Sequence, residues 1–169
     1  MWVKDPLLQP VAGISDPFGQ TAAWQLTNAG SASQALSQTV EIPGNYVCCF
    51  SLYARSASPV QITIARTDSD AGIVSLQEIA PGWQRLQLSG SVGGTAASGI
   101  YSISLPPGAV LDVFGLQVEA QPQPSDYKQT YSNCGVYPVT RFVEDSLTST
   151  AVAVNNYSVN ILLTSRSDA

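Results

Sequence analysis

The feature that most narrows the possible folds is a repeating pattern of short alternating segments separated by turn residues. Apolar and polar residues alternate over roughly 21–28, 35–42, 46–55, 60–66, 73–79, 83–89, 99–105 and 109–119, between clusters of Gly, Pro, Asn and Ser. Pro43-Gly44-Asn45 and Pro106-Pro107-Gly108 are strong turn signals, and Ser91-Val92-Gly93-Gly94-Thr95 reads as a flexible loop. No segment has the length, caps and period of a helix. Strand candidates at this spacing predict an all-β fold, a two-sheet jelly-roll β-sandwich.

Composition sets the outer limits. At 169 residues the chain can bury a real core, and charged residues make up only 11%. The net charge is −5 and the seven Lys and Arg are scattered, so no basic stripe exists to release counterions from a phosphate backbone. Nucleic acid is therefore not an expected partner. No apolar run approaches a membrane span, and Met1-Trp2-Val3-Lys4-Asp5-Pro6 has no apolar leader region. If Met1 is the natural start, the expected place of synthesis is a reducing cytoplasm. The chain has no His, which removes Ser-His-Asp and Cys-His catalysis and His-ligated zinc. Cys48 and Cys49 are adjacent on a predicted strand, point to opposite faces and should not pair; with Cys134 the count is odd, against a disulfide framework.

Alternation sorts side chains into faces. Phe50, Leu52 and Ala54 share one face of their strand, and Ser51, Tyr53 and Arg55 the other. Leu86 and Leu88 form the apolar face of the next, leaving Trp83, Arg85 and Gln87 opposite. In 109–119 the period places Val110, Phe114, Leu116 and Val118 on one face with Asp112 among them, and Gln117 and Glu119 on the other. Asp112, on an otherwise apolar face, calls for a partner: a metal, a backbone N–H or an Arg.

The sandwich is expected to span 1–131, closed by a linker or strap over 120–131. Residues 132–169 read as a separate piece. There Thr148, Thr150, Val152 and Val154 alternate, as do Tyr157, Val159, Ile161 and Leu163, around Asn155-Asn156, the pattern of a β-hairpin. Such a hairpin cannot stand alone in water and must pack on its own sandwich or on a neighbouring subunit. Docking on a neighbour predicts a homo-oligomer, a trimer in a fibre.

Three ordered motifs carry a resemblance across residues 2–131. They are Ser15-Asp16-Pro17-Phe18-Gly19-Gln20-Thr21-Ala22-Ala23; Leu36 to Val40 with Gly44-Asn45-Tyr46 and Phe50-Ser51-Leu52-Tyr53-Ala54-Arg55; and Trp83-Gln84-Arg85-Leu86 with Phe114 to Glu119 and the closing Ser125-Asp126-Tyr127. In this order they resemble jelly-roll carbohydrate-binding modules, most of all those within phage tail and other virion proteins. The resemblance implies a non-enzymatic virion component (tail, fibre or surface decoration) made in the host cytoplasm, with other virion proteins and a host or environmental glycan as partners. The alternatives are a module of a secreted, hence extracellular, glycoside hydrolase, or an assembly module that touches no sugar.

A face bearing Tyr53, Arg55, Trp83, Arg85, Gln87 and Gln117 meets the needs of a sugar platform, because rings stack on pyranose C–H faces while amides and guanidinium groups fix hydroxyls. The competing reading has Trp83 covering a sandwich edge and an Arg paired with Glu119. The resemblance also implies a structural calcium, with Asp16 and Asp112 as part of its ligand set; against this, Asp16-Pro17 suits an Asx turn. No other cofactor is expected. Asp68 and Asp70 mimic a calcium loop but lack downstream ligands, and read as a hairpin loop. A glycosidase would need two facing carboxylates in a cleft, whereas the acids here lie mostly in loops and Glu144-Asp145 are adjacent in sequence. The chain is expected not to be an enzyme.

Overall fold

The computed structural model describes residues 1–42, 44–70 and 72–127, and the backbone of four short strands at 140–142, 149–153, 156–159 and 163–165. The alternating segments become strands β3 (Ala23–Asn28), β4 (Gln34–Glu41), β5 (Val47–Arg55), β6 (Val60–Thr67), β7 (Gly72–Ile79), β8 (Gln84–Ser91), β9 (Ser98–Leu105) and β10 (Val110–Glu119). Each lies within two residues of its expected bounds. Two strands precede them, β1 (Val3–Lys4) and β2 (Leu8–Ile14). β2 escapes the sequence reading because Pro10 and Gly13 interrupt its alternation. It is an edge strand, where a residue without an N–H costs no ladder bond, and it bulges between Ala12 and Ile14.

The ten strands form two five-stranded antiparallel sheets, in the orders β1-β4-β9-β6-β7 and β2-β3-β10-β5-β8. The fold is the expected jelly-roll sandwich, and no helix occurs among the described residues. Leu26, Phe50, Leu52, Ile62, Ile64, Tyr101, Ile103, Leu105 and Leu111 fill the space between the sheets. A fully buried Leu, Ile or Phe contributes about 1.5–3 kcal/mol relative to exposure, so this layer dominates stability.

Polar groups fasten the ends. Asn28, buried, donates through Nδ2 to the carbonyls of Ala32 and Leu105 and accepts the Gly30 N–H on Oδ1. Its main chain pairs with Gly108 and Ala109, so it anchors the expected Pro106–Gly108 turn. At the other end Arg66, also buried, pairs with Asp68 at 3.2 Å and donates to the Ser91 carbonyl. Asp68 accepts the Gly93 N–H, and Asp70 accepts the N–H and hydroxyl of Thr95. Their stretch is the expected hairpin loop, between β6 and β7: Asp68 Oδ1 accepts the Asp70 N–H within it, while Asp68 Oδ2 and Asp70 also hold the 91–95 loop.

One irregularity re-phases a strand. Between Phe114 and Gln117, β10 shifts register against β5, with Gly115 at φ +63°. A left-handed residue in a strand is the mark of a bulge, which inserts one residue and turns later side chains over. Leu111 and Val113 therefore face the core before the bulge, and Leu116 and Val118 pack on it afterwards. This corrects the expected face: Val110, Asp112 and Phe114 point away from the core, together with Gln117 and Glu119.

The chain divides into two compact units, Met1–Lys128 and Gln129–Ala169. In the second, β11 (Thr140–Phe142) pairs with β14 (Leu163–Ser165), and β12 (Ser149–Ala153) with β13 (Asn156–Val159), all antiparallel. The β12–β13 pair is a hairpin, but its register differs from expectation. Asn156 is itself a strand residue opposite Ala153, and Tyr157 and Val159 lie opposite Ala151 and Ser149. Leu163 belongs to β14 rather than to a continuing second arm. Val154, Asn155 and Ile161 lie outside the described residues, as do Cys134 and the Glu144-Asp145 pair.

Candidate functional site

The outward face of the β2-β3-β10-β5-β8 sheet collects all six residues expected to form a platform. Strand register lays them out in rows running across the strands. One row reads Val11, Gln25, Asp112 and Arg55, and is extended by Trp83, which immediately precedes β8. Beside it stand Phe114, Tyr53 and Arg85, then Gln117, Ser51 and Gln87, then Glu119, Cys49 and Ser89.

Three of these rows are roofed. The segment 120–127 runs over them as the expected strap. Arg85 Nη2 donates to the Ser125 carbonyl at 2.5 Å and to Ser51 Oγ at 3.2 Å. Ser89 Oγ donates to the Pro122 carbonyl, and Glu119 accepts both the N–H and the hydroxyl of Ser125. Gln117 Nε2 lies 3.4 Å from Ser125 Oγ, and Tyr127 packs edge-on against Phe114. Cys49 and Ser51, though turned away from the core, are consequently 0% exposed. Partial burial opposes ionisation of Glu119, but the Ser125 and Gln117 hydrogen bonds and the Arg85 charge outweigh it, holding this carboxyl below its ordinary range.

Phe18 closes the same region from the other side. Asp16 Oδ1 accepts the N–H groups of Phe18 (2.8 Å) and Gln20 (3.1 Å), and Oδ2 that of Ala22 (3.2 Å). These bonds overcome the desolvation of this carboxylate and lower its pKa. They also present Phe18 at the loop tip, 63% exposed, with its ring edge-on to both Tyr53 and Phe114. Tyr53 in turn carries the Arg85 guanidinium 5.3 Å from its centroid. Its ring is engaged by protein on several sides, so Tyr53 is a supporting residue rather than a free stacking surface.

The row left open is Val11, Gln25, Asp112, Arg55 and Trp83. Arg55 Nε donates to Asp112 Oδ2 at 2.9 Å, Gln25 Nε2 donates to Asp112 Oδ1 at 3.0 Å, and the Arg55 guanidinium lies 4.7 Å from the Trp83 ring centroid. Asp112 thus finds the Arg partner that was one of its expected options. The indole Nε1 of Trp83 and Nε of Arg85 are buried and find no acceptor among the described residues. Buried donors of this kind are ordinarily met by an ordered water. Gln87 is exposed at the β8 margin. Gln25 and Phe18 are site residues the sequence reading passed over. For Phe18 the signal was its place straight after an Asp-Pro turn; for Gln25, its strand partner across a register that sequence does not give.

The arrangement suits recognition more than chemistry. A general acid must carry a proton near working pH, whereas Glu119 is held ionised and Asp112 is committed to Arg55 and Gln25. The oxygens of Asp16 and Asp112, expected as part of a calcium ligand set, accept hydrogen bonds here: Asp16 from three backbone N–H groups, Asp112 from Arg55 and Gln25. Among the described residues no group of three or more His, Cys, Asp or Glu is placed to hold a metal. Cys48 lies in the core, where burial pushes its thiol pKa up.

Solved structures share this architecture at low sequence identity. A family 61 carbohydrate-binding module, TmCBM61, solved with β-1,4-galactotriose, is 15% identical with a TM-score of 0.56 over 72% of this chain and 88% of its own. The CBM22-1 and GH10 modules of Clostridium thermocellum endo-1,4-β-D-xylanase 10B, complexed with xylohexaose, are 11% identical with a TM-score of 0.59. The enzymatically active domain of tailspike protein 4 from bacteriophage CBA120 is 12% identical with a TM-score of 0.52. The fold is that of a carbohydrate-binding-module jelly roll. The matches cover 76% and 69% of this chain but only 27% of the xylanase chain and 18% of the tailspike chain. No protein-family model and no curated protein matches the sequence.

Proposed function

We propose that the chain is a non-catalytic module that binds a glycan along the open row from Val11 to Trp83. The observation that carries the proposal is the row itself: amide, carboxylate, guanidinium and indole in register, flanked by the exposed ring of Phe18. Across the sheet, strands stand about 4.8 Å apart, so the row runs for roughly 19 Å, enough for several linked pyranose rings. Phe18 and the face of Trp83 turned away from Arg55 offer apolar ring surface to sugar C–H faces, and the Gln25 amide oxygen and the Arg55 Nη groups offer an acceptor and donors to hydroxyls. A shallow row burying little ligand area predicts weak binding.

Two settings accommodate such a module. The likeness to part of a bacteriophage tailspike supports a place in a virion, among other virion proteins. The likeness to the modules of a xylanase supports attachment to a glycoside hydrolase. Neighbouring genes separate them: capsid, portal or tail genes favour the first and a hydrolase domain the second.

Binding itself is tested by calorimetric titration with xylohexaose, β-1,4-galactotriose and a broader glycan array. Wild-type protein should bind at least one neutral oligosaccharide, and Trp83→Ala and Gln25→Ala should lose that binding while melting as wild type. Absence of binding across the array would leave a structural assembly module and end the glycan reading.

A further inference from the structure

The edge of β7, unpaired among the described strands, points to an interface that the glycan face does not use. An open edge strand presents unpaired N–H and C=O groups, and stable monomers blunt such edges with Pro, Lys, bulges, shortness or a covering segment. Two of the sandwich's four edge strands are treated in that way: β1 has two residues, and β2 carries Pro10 and a bulge. A third, β8, carries the charged side chain of Arg85. β7, Gly72-Ile73-Val74-Ser75-Leu76-Gln77-Glu78-Ile79, has no Pro, Lys or Arg. It pairs with β6 along its whole length without a register break, and no described strand pairs with its other side. Ile73 seats against Gly90 of β8, so the inner face is fixed. Val74 and Leu76 on the outer face are 64% and 62% exposed.

We infer that a second copy of this chain adds to β7 in antiparallel fashion, joining two sheets across a two-fold axis at Ser75. The sequence of the strand selects both occupant and register. Outer-face residues must meet outer-face residues, so residue numbers of paired positions sum to an even value. With Ser75 opposite its own copy, Val74 meets the partner's Leu76 and Leu76 meets the partner's Val74. Glu78 then lies opposite the partner's Gly72, where it meets neither a like charge nor an apolar side chain. Shifting by two residues one way sets Glu78 against Val74; shifting the other way sets Leu76 against Gly72 and leaves an apolar side chain uncovered. A strand that is self-complementary about its own centre fits a closed, isologous contact. Eight residues of edge bury less than the ~1,200 Å² of a standard interface, so the dimer is weak and concentration-dependent.

The test is sedimentation equilibrium of the full chain over a wide concentration range, with three variants. Wild type should move from one chain toward two as concentration rises. Leu76→Lys places a cation against Val74 twice across the axis and should weaken association by about a hundredfold, each contact costing a factor of roughly ten. Its melting should match wild type, because Leu76 is exposed. The double variant Val74→Lys/Leu76→Glu sets opposite charges across the axis in the Ser75 register alone, and should restore the dimer; in the register centred on Leu76 the same change sets carboxylate against carboxylate. Val110→Lys, on the other sheet and outside the glycan row, should dimerise as wild type. A full chain that stays monomeric at the highest concentration overturns the inference. So does a dimer untouched by Leu76→Lys, which would place self-association elsewhere, in 132–169 for example. Failure of the double variant to recover would refute the register.

Discussion

Replacing Gly115 by Ala probes the bulge that sets the whole outer face. Gly115 sits at φ +63°, and a Cβ added there meets Tyr127 Cδ2 at 3.0 Å. The left-handed conformation costs an L-residue about 1–2 kcal/mol. Crowding the strap's ring adds about 1–3 kcal/mol, and reduced freedom of the unfolded chain returns about 0.4–1 kcal/mol. The expected net loss is about 2–4 kcal/mol, a large share of the ~5–15 kcal/mol that holds a domain folded. With a urea m-value of about 2 kcal/mol/M, the unfolding midpoint should fall by about 1–2 M at unchanged slope. Adding Tyr127→Ala should remove part of the crowding, so the double change should cost less than the sum of its parts. Gly82 supplies the control: a Cβ added there meets nothing within 4 Å and its φ is ordinary, so Gly82→Ala should be neutral or stabilising by up to ~1 kcal/mol. A Gly115→Ala protein with an unmoved or raised midpoint would refute the bulge and, with it, the face assignment of Asp112.

The re-phasing has a simpler companion test: Leu111→Ala, at a fully buried position, should cost about 2–5 kcal/mol in urea unfolding, whereas Val110→Ser, 39% exposed, should cost well under ~1 kcal/mol. Because Glu119 titrates lower in the folded state than unfolded, the strap's stabilisation is complete above about pH 4.5 and is lost as pH falls through its lowered folded value; Glu119→Gln should flatten that acid limb of the stability curve. In a Cys134→Ser background neither Cys48 nor Cys49 should react with a thiol reagent in the native state, and Arg85→Ala, by loosening the strap, should expose Cys49 first; rapid labelling of wild type would contradict the roof over that row. Asp16→Ala should release Phe18 from its packing on Tyr53 and Phe114 and weaken any glycan binding more than it lowers the melting temperature, measured side by side by titration and calorimetry.

Eight strands were legible because alternation and turn chemistry agree along most of the chain. The two that were not, β1 and β2, are edge strands of different sheets in a stretch where Pro6, Pro10 and Gly13 break the pattern, and edges tolerate such breaks. Period-two reasoning placed Tyr53, Arg55, Arg85 and Gln87 correctly because β5 and β8 pair without a bulge. It misplaced Val110, Asp112 and Phe114 because one left-handed glycine turns a strand over, and a lone Gly in sequence does not say whether it does so. The strap defeated sequence reading differently. Residues 120–127 have no alternation to fix a register, so nothing showed that they would cover Cys49, Ser51 and Arg85 and stop short of the Val11 to Trp83 row. Gln25 and Phe18 entered the site through tertiary register and an Asx turn, neither of which a single chain displays.

The glycan face is tested most directly by an NMR titration of isotope-labelled protein with xylohexaose and β-1,4-galactotriose, following backbone amides together with the Trp83 indole and Gln25 side-chain signals. The account predicts saturable shifts confined to Val11, Gln25, Arg55, Asp112 and Trp83 and to the Phe18 loop, with the β1-β4-β9-β6-β7 sheet silent. Shifts centred on that other sheet, or no saturable shift with any neutral oligosaccharide, would contradict it.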